Sequence, residues 1–308
     1  MPIKEFTQKK IKIAIILAGQ LRHWDITSKV FQMYNDIHPD VQYDFFLSTW
    51  DDSYLSKDSK FKANTKAIES NFSFLNAYEV VGTSIIGNYD DDYVRYPYLL
   101  KKVNQLKNDY QNEYDIKYDC VISTRPDIFL SLQMLHRVNE LINNTNSDQI
   151  TPNTIYAENG ITEKLTNIPN SYIKEPHFLM LDLYVFGHEN AINIHANIYD
   201  DMYVKKIQPN QGVHITPAEH IINNKLNCRP IGNLSVGIIR YTHVDYFNNL
   251  LQNGKLKNMY NLMLIRKNHK EGTLLTEKFK SDFNELSTNY VEHLYGEYQK
   301  PKNEQQLL

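Results

Sequence analysis

The chain has 308 residues, of which 42% are hydrophobic and 22% are charged, and its formal net charge is −3. This is ordinary globular composition, which excludes a disordered chain, and two cysteines are too few for a disulfide scaffold or a cysteine-rich zinc module. A slightly acidic chain lacks the excess of lysine and arginine that nucleic-acid-binding proteins usually have, so we expect no nucleic-acid partner.

The first half of the chain predicts a strand, a helix and a second strand. Residues 12–18 are apolar and largely β-branched, as in a strand buried on both faces, and Gly19 ends them. A helix is predicted over residues 26–34 and a second strand over residues 43–50. Strand, helix and strand joined by short links indicate a parallel sheet.

The second half continues the alternation of helices and strands. In chain order its predicted elements are helix 98–114, strand 118–123, helix 132–143, a weak strand at 155–156, strand 178–187, helix 188–203, helix 217–226 and strand 236–240. The last strand is expected to close the sheet. The fold class is therefore α/β, with a mostly parallel sheet flanked by helices.

Residues 246–308 are predicted to be a helical C-terminal extension that follows a first domain over residues 1–245. The extension is amphipathic, with clustered lysines and arginines. Its helices either pack against the first domain or contact an anionic membrane that carries a lipid-linked acceptor. The polar N-terminus, and the lack of a stretch of about 18 apolar residues, predict a cytoplasmic protein, with peripheral membrane contact under the second interpretation.

The first candidate binding motif directly follows the first strand and runs Ala18-Gly19-Gln20-Leu21-Arg22. Ligands of α/β proteins bind at the carboxyl ends of parallel strands. Backbone N–H groups in this turn, together with the guanidinium of Arg22, suit a diphosphate. The alternative is a tight turn with a surface arginine.

A second motif, Arg125-Pro126-Asp127, follows the strand 118–123 and is expected at the same edge of the sheet. Asp127 is a candidate ligand for Mg²⁺ or Mn²⁺, since hard cations prefer oxygen ligands. Arg125 is a candidate for compensating the charge of a leaving diphosphate. The alternative is that Asp127 caps the next turn and pairs with Arg125.

Three single residues complete the candidates. Asp182 lies inside an apolar strand, where a carboxylate is costly unless it is paired or functional, and it is the first candidate for a catalytic base. Glu219 is the second, although an acid in the first turn of a helix is favourable for dipole reasons alone. His243 is a candidate metal ligand or phosphate contact, and its alternative is a structural role.

In order and spacing, these motifs resemble GT-A-type glycosyltransferases of microbial and viral surface-glycan biosynthesis, including proteins similar to the WavE lipopolysaccharide-synthesis group. The resemblance covers about residues 11 to 240. It rests on five segments: Gly19-Gln20-Leu21-Arg22, residues 46–51, residues 118–127, residues 182–187 and Pro217-Ala218-Glu219.

The resemblance implies a Rossmann-like GT-A fold for residues 1–245. It also implies transfer of a sugar from a nucleotide-diphosphate donor to a glycan or lipid-linked acceptor hydroxyl, as in polysaccharide biosynthesis. In such enzymes an Asp-X-Asp motif holds Mn²⁺ or Mg²⁺ against the donor diphosphate. The corresponding segment here is Arg125-Pro126-Asp127, so an arginine replaces the first acid.

The resemblance also assigns roles to the remaining candidates. Gly19 and Arg22 would line the nucleotide, with Asp51 near its base or ribose, and Trp50 is a further candidate for binding the nucleotide or substrate. Residues that face the acceptor and the transferred sugar would be Asp182 and Glu219. The guanidinium groups that neutralise the leaving diphosphate would be those of Arg22, Arg125 and Arg240.

Two other functions stay open. A sugar-1-phosphate nucleotidyltransferase would release pyrophosphate, but its glycine-rich first loop is longer than the turn found here. A non-catalytic glycan-binding protein on the same fold would keep tyrosine-lined sugar contacts and show no affinity for nucleotides.

Overall fold

A computed structural model describes most of the first 238 residues. The described residues are 10–21, 28, 31–32, 34–35, 38, 40–51, 54–56, 59–60, 68–69, 72–86, 92–130, 132–143, 150–157, 161–164, 177–180, 184–201, 215–231 and 237–238. All of them belong to the first of two compact units, Met1–Ile239. The second unit, Arg240–Leu308, lies outside the described residues, and so does the predicted helical extension.

A seven-stranded mixed sheet lies at the centre of this unit. Its spatial order is β12 (Asn227–Pro230), β8 (Thr154–Ala157), β11 (Tyr184–Gly187), β6 (Cys120–Thr124), β1 (Ile11–Ala18), β2 (Val41–Trp50) and β5 (Leu75–Val81). Neighbouring strands are parallel, except that β11 runs antiparallel to both β6 and β8. The predicted α/β class with a mostly parallel sheet is confirmed.

Shorter elements surround this sheet. Three two-stranded sheets pair β3 (Tyr54–Ser56) with β4 (Ser59–Lys60), β7 (Ile128–Phe129) with β13 (Gly237–Ile238), and β9 (Ile161–Lys164) with β10 (His177–Met180). The described α-helices are α1 (Asp92–Tyr114), α2 (Leu132–Asn143), α3 (Glu189–Ala196) and α4 (Ile215–Asn223), and a 3-10 helix covers Thr83–Ile86.

Two predicted strands differ from the observed ones. The segment 236–240 does not close the large sheet, because Gly237–Ile238 pairs with β7 in a small sheet of its own. The edge strand next to β8 is instead β12. Its four residues are partly exposed and include Asn227 and Arg229, so an apolar pattern does not reveal it. The predicted strand 178–187 is two strands, β10 and β11, which belong to different sheets.

The sheet has a buried core on both faces. On one face, Ile16, Phe46 and Val121 belong to a cluster that includes residues of α1, α3 and α4. On the other face, Phe45 lies 5.9 Å from the Phe31 ring and 6.3 Å from the Tyr34 ring, measured between centroids. Burial on both faces explains why neighbouring residues of the central strands, such as Ile15 and Ile16 or Phe45 and Phe46, are both apolar rather than alternating with polar ones.

A buried polar network at the amino end of β6 ties that part of the chain to β2. Asp44 is 4% exposed, and its Oδ2 accepts a hydrogen bond of 2.8 Å from the Tyr118 hydroxyl. Gln42 Nε2 donates to Asp44 Oδ1 at 3.1 Å, and Asn76 Nδ2 lies 3.4 Å from the same oxygen. Burial and then the Asp44 charge raise the pKa of Tyr118, because both disfavour the phenolate.

We expect Tyr118→Phe to lower the free energy of unfolding by about 1–3 kcal/mol, because Asp44 loses its hydroxyl donor. The raised pKa keeps Tyr118 protonated in the folded protein, whereas in the unfolded chain Tyr118 ionises near the ordinary tyrosine pKa. The stabilisation that Tyr118 provides is therefore complete below that pKa and is lost as the pH rises above it. From about pH 9 to 11 the wild type should therefore lose about 1.4 kcal/mol more than the variant. Urea unfolding across this range measures the difference, and parallel pH profiles would contradict the assignment.

Candidate functional site

The candidate site lies at the carboxyl edge of the parallel strands β1, β2, β5 and β6. These strands are neighbours in the sheet and run in one direction, so the turns that follow them meet at the same edge. Gly19 follows β1, Asp51 follows β2, and Arg125 follows β6. Ala18 is fully buried at the end of β1, and Gln20 is half-buried directly after Gly19.

Gly19 fits the turn after β1 closely against the turn after β6. Its φ is +142°, a conformation that side-chain-bearing residues rarely adopt, and its N–H donates to the Ser48 carbonyl at 3.2 Å. A Cβ at this position would lie 3.3 Å from Pro126 Cδ and 3.8 Å from Arg125 Cγ. A glycine is therefore needed for both backbone conformation and space.

Gly19→Ala is expected to lower the free energy of unfolding by about 1–3 kcal/mol, because it places a Cβ on a strained backbone. A matched control is Gly82→Ala at the same edge, where φ is not positive and the new Cβ would meet Ser84 Oγ at 3.6 Å, an ordinary contact. Thermal and urea unfolding of both variants measure the difference. Equal losses of stability would show that the conformation of Gly19 carries no special cost.

Arg125 and Asp127 form a close ion pair within the turn after β6. Arg125 Nε donates to Asp127 Oδ1 at 2.9 Å, and one terminal nitrogen donates to Oδ2 at 2.6 Å. The Asp127 side chain is 4% exposed and the Arg125 side chain is 31% exposed. The structure thus contains the pairing expected under the structural alternative, while the metal role of Asp127 stays a prediction.

A second guanidinium at this edge was missed by the sequence interpretation. Arg95 lies in the first turn of α1, and its Cζ is 5.1 Å from the centroid of the Trp50 ring. Trp50 is 2% exposed and stacks on Tyr98 with centroids 5.9 Å apart. Trp50 is the last residue of β2 and Arg125 directly follows β6; because these strands lie on either side of β1, they are about 10 Å apart across the sheet.

Asp51 connects the end of β2 to the turn after β5. Its backbone N–H donates to the Val81 carbonyl at 3.0 Å, and its Oδ1 accepts a 3.0 Å hydrogen bond from the Thr83 N–H. One carboxylate oxygen therefore caps the 3-10 helix Thr83–Ile86. Contact of Asp51 with a base or ribose stays a prediction.

Glu219 lies in the second turn of α4, because the helix begins at Ile215 and not at Pro217 as predicted. The favourable helix-dipole effect falls off within the first turn, so it explains this acid less well than the sequence suggested. Helix α4 packs against β10, which ends at Met180, two residues before Asp182. Within the described part of the chain, no residue donates a hydrogen bond to the Glu219 carboxylate.

The neighbouring His220 fixes α4 against α3. This side chain is 6% exposed, its Nε2 lies 2.7 Å from the Ile194 carbonyl oxygen, and its Nδ1 lies 3.1 Å from Asp201 Oδ2. His220 carries no sequence signal of its own beyond its position directly beside Glu219.

Four predicted site residues, Asp182, Arg22, Arg240 and His243, lie outside the described residues. Within the described ranges, no group of three or more His, Cys, Asp and Glu side chains is placed to hold a metal ion. In the same ranges, no helix is long and apolar enough to cross a membrane.

No protein-family model matches the chain, and no curated protein matches it. Among solved structures, the chain is similar to the galactosyltransferase LgtC in complex with donor and acceptor sugar analogs, with a TM-score of 0.40, 10% identity, and coverage of 72% of this chain and 74% of that one. It is also similar to a glycosyltransferase involved in the glycosylation of the major capsid of PBCV-1, with a TM-score of 0.40, 7% identity, and coverage of 78% and 91%. At identities this low, no residue correspondence follows.

Proposed function

We propose that this protein is a GT-A-type glycosyltransferase that moves a sugar from a nucleotide-diphosphate donor to a hydroxyl of a glycan or lipid-linked acceptor. The observation that carries the proposal is the placement of two guanidinium groups, those of Arg95 and Arg125, at the carboxyl edge of a mostly parallel sheet. The motif order that resembles GT-A-type enzymes supports it further.

The chemistry of the transfer explains why cations belong at this edge. The bond from the sugar to the diphosphate breaks as the sugar carbon gains oxocarbenium character, and negative charge grows on the departing diphosphate. Preorganised cations at that position stabilise the transition state more than the ground state. A guanidinium presents N–H groups in a planar fork, which matches two phosphate oxygens at once.

Each arginine is held in place by a different neighbour. Arg125 is oriented by Asp127 through two hydrogen bonds. Arg95 lies over the buried ring of Trp50, whose face attracts a cation. We propose that Arg22, together with the turn residues Ala18 and Gln20, completes the donor site, while a contact of Arg240 with the diphosphate stays a prediction.

On the acceptor side, we propose that Asp182 or Glu219 takes the proton from the attacking hydroxyl, if the reaction inverts the sugar configuration. The packing of α4 against β10 supports this, because it brings the helix that carries Glu219 to the strand that leads toward Asp182. In a retaining reaction neither carboxylate needs to act as a base.

The test is product analysis with the full chain and a panel of UDP-, GDP-, CDP- and dTDP-sugars in the presence of an oligosaccharide acceptor. Chromatography should show a nucleoside diphosphate and an extended acceptor in equal amounts from one donor class. Release of pyrophosphate from a nucleoside triphosphate and a sugar 1-phosphate would instead show a nucleotidyltransferase. Acceptor binding with neither product would show a glycan-binding protein.

A further inference from the structure

The surroundings of Asp127 bear on whether a divalent cation could occupy the donor site. A metal at this position would need lone pairs of the Asp127 carboxylate, and the carboxylate would need to be reachable. Both oxygens accept charged hydrogen bonds from Arg125, at 2.9 and 2.6 Å, and the side chain is 4% exposed. The carboxylate is therefore already paired with a cation of the protein itself.

The other requirements of a metal site are also poorly met in the described part of the chain. Mg²⁺ and Mn²⁺ are held by several oxygen ligands, and a single carboxylate supplies too few of them. The residue two positions before Asp127 is an arginine rather than a second acid, and no cluster of three acidic, histidine or cysteine side chains occurs among the described residues. A dication bound to Asp127 would also be repelled by the adjacent guanidinium.

Arg125 can supply the positive charge instead. A guanidinium keeps its charge at all working pH values. The Arg125 side chain is 31% exposed at the carboxyl edge of the sheet while its Nε and one terminal nitrogen donate to Asp127. Asp127 orients the guanidinium and does not need to touch the donor, so it is a positioning residue.

We infer that this protein binds its donor diphosphate without a divalent metal, and that the Arg125–Asp127 pair occupies the place of the metal centre. The inference rests on the proposed function. It leads to one clear expectation: the affinity for a nucleoside diphosphate depends on Arg125 and is indifferent to Mn²⁺ and Mg²⁺.

The experiment is calorimetric titration of the full chain with UDP, GDP, CDP and dTDP, each in EDTA and in excess Mn²⁺. Electron paramagnetic resonance of Mn²⁺ in the same mixtures reports how much metal the protein holds. We expect one nucleotide to bind with dissociation constants that agree within about twofold in the two buffers, a difference well below 1.4 kcal/mol. We also expect no Mn²⁺ bound beyond that held by the nucleotide alone.

Variants distinguish the two alternative roles of Asp127, which are to position Arg125 or to bind a metal. If it positions Arg125, Asp127→Asn weakens nucleotide binding by the same factor in EDTA and in Mn²⁺, and Arg125→Lys weakens binding in both buffers because its ammonium lacks the planar fork. Binding at least about tenfold tighter with Mn²⁺ would overturn the inference. So would one bound Mn²⁺ per chain that Asp127→Asn removes.

The titrations of the wild-type protein do not depend on the folding of any variant. They also distinguish a failure of the metal-free inference from a failure of the proposed function. Binding that requires Mn²⁺ would overturn the metal-free inference and leave the proposed transferase intact. An absence of binding for every nucleotide in both buffers would overturn the proposed function and this inference with it.

Discussion

Arg125→Ala is expected to lower kcat/KM for the nucleotide-sugar donor by about 10²–10³-fold, the range seen when one preorganised group that stabilises transition-state charge is removed. In the wild type, the guanidinium is held by Asp127 through hydrogen bonds of 2.9 and 2.6 Å. It is therefore oriented before the donor binds. Initial rates at varied donor concentration measure the effect.

The same substitution also affects stability, so activity and folding must be separated. Removing the arginine leaves the buried Asp127 carboxylate without its partner, which we expect to cost about 3 kcal/mol. The double variant Arg125→Ala/Asp127→Asn removes the buried charge, and it should regain part of this stability without regaining activity. If it regained activity, the loss in Arg125→Ala would be a folding effect.

A matched control is Arg137→Ala on α2. Arg137 is 43% exposed and pairs with Glu140 at 3.2 Å on the same helix. An exposed pair of this kind contributes at most about 1 kcal/mol, so the variant should retain both stability and activity. Wild-type kinetics in Arg125→Ala would contradict the proposed role of this arginine.

The second large effect is expected at the two candidate bases. If the reaction inverts configuration, either Asp182→Asn or Glu219→Gln should lower kcat by about 10²–10⁴-fold, because a positioned base contributes that much to proton transfer. We expect the larger loss for Asp182→Asn. The affinity for the nucleoside diphosphate should be unchanged in both variants, since neither carboxylate is assigned to the donor.

Saturating donor and acceptor isolate kcat in this comparison, and Glu140→Gln on the exposed side of α2 serves as the control acid. A kcat close to that of the wild type in both variants would exclude the two carboxylates as bases. It would also favour a retaining reaction, which NMR of the product linkage can establish independently.

The strands at the centre of the sheet could be predicted because their burial leaves a strong signal. Strands β1, β2 and β6 contain runs of neighbouring apolar residues, and the strand, helix and strand pattern that includes β1 and β2 indicates a parallel arrangement. β12 escaped prediction because it is a polar edge strand that gains its place by pairing with β8. No property of its own residues reveals that pairing.

In the candidate site, too, the residues at the edge of the sheet could be predicted from topology, but their side-chain contacts could not. Gly19 and Arg125 were expected at one edge because both follow parallel strands, and topology alone brings them together. Arg95 was missed because the apolar spacing that predicts α1 begins at Leu99, while the helix begins at Asp92. Whether Asp127 binds a metal or pairs with Arg125 could not be read from residue types, since both roles need the same carboxylate.

The most direct test of the account is thermal unfolding of the wild type and of the Arg125→Ala and Arg137→Ala variants with UDP, GDP, CDP and dTDP, in EDTA and in Mn²⁺. A ligand that binds only the folded state raises the Tm in proportion to the logarithm of its concentration over its Kd. We predict a rise with one nucleotide in the wild type and in Arg137→Ala, and no rise in Arg125→Ala. No rise with any nucleotide, or an equal rise in all three proteins, would contradict the account.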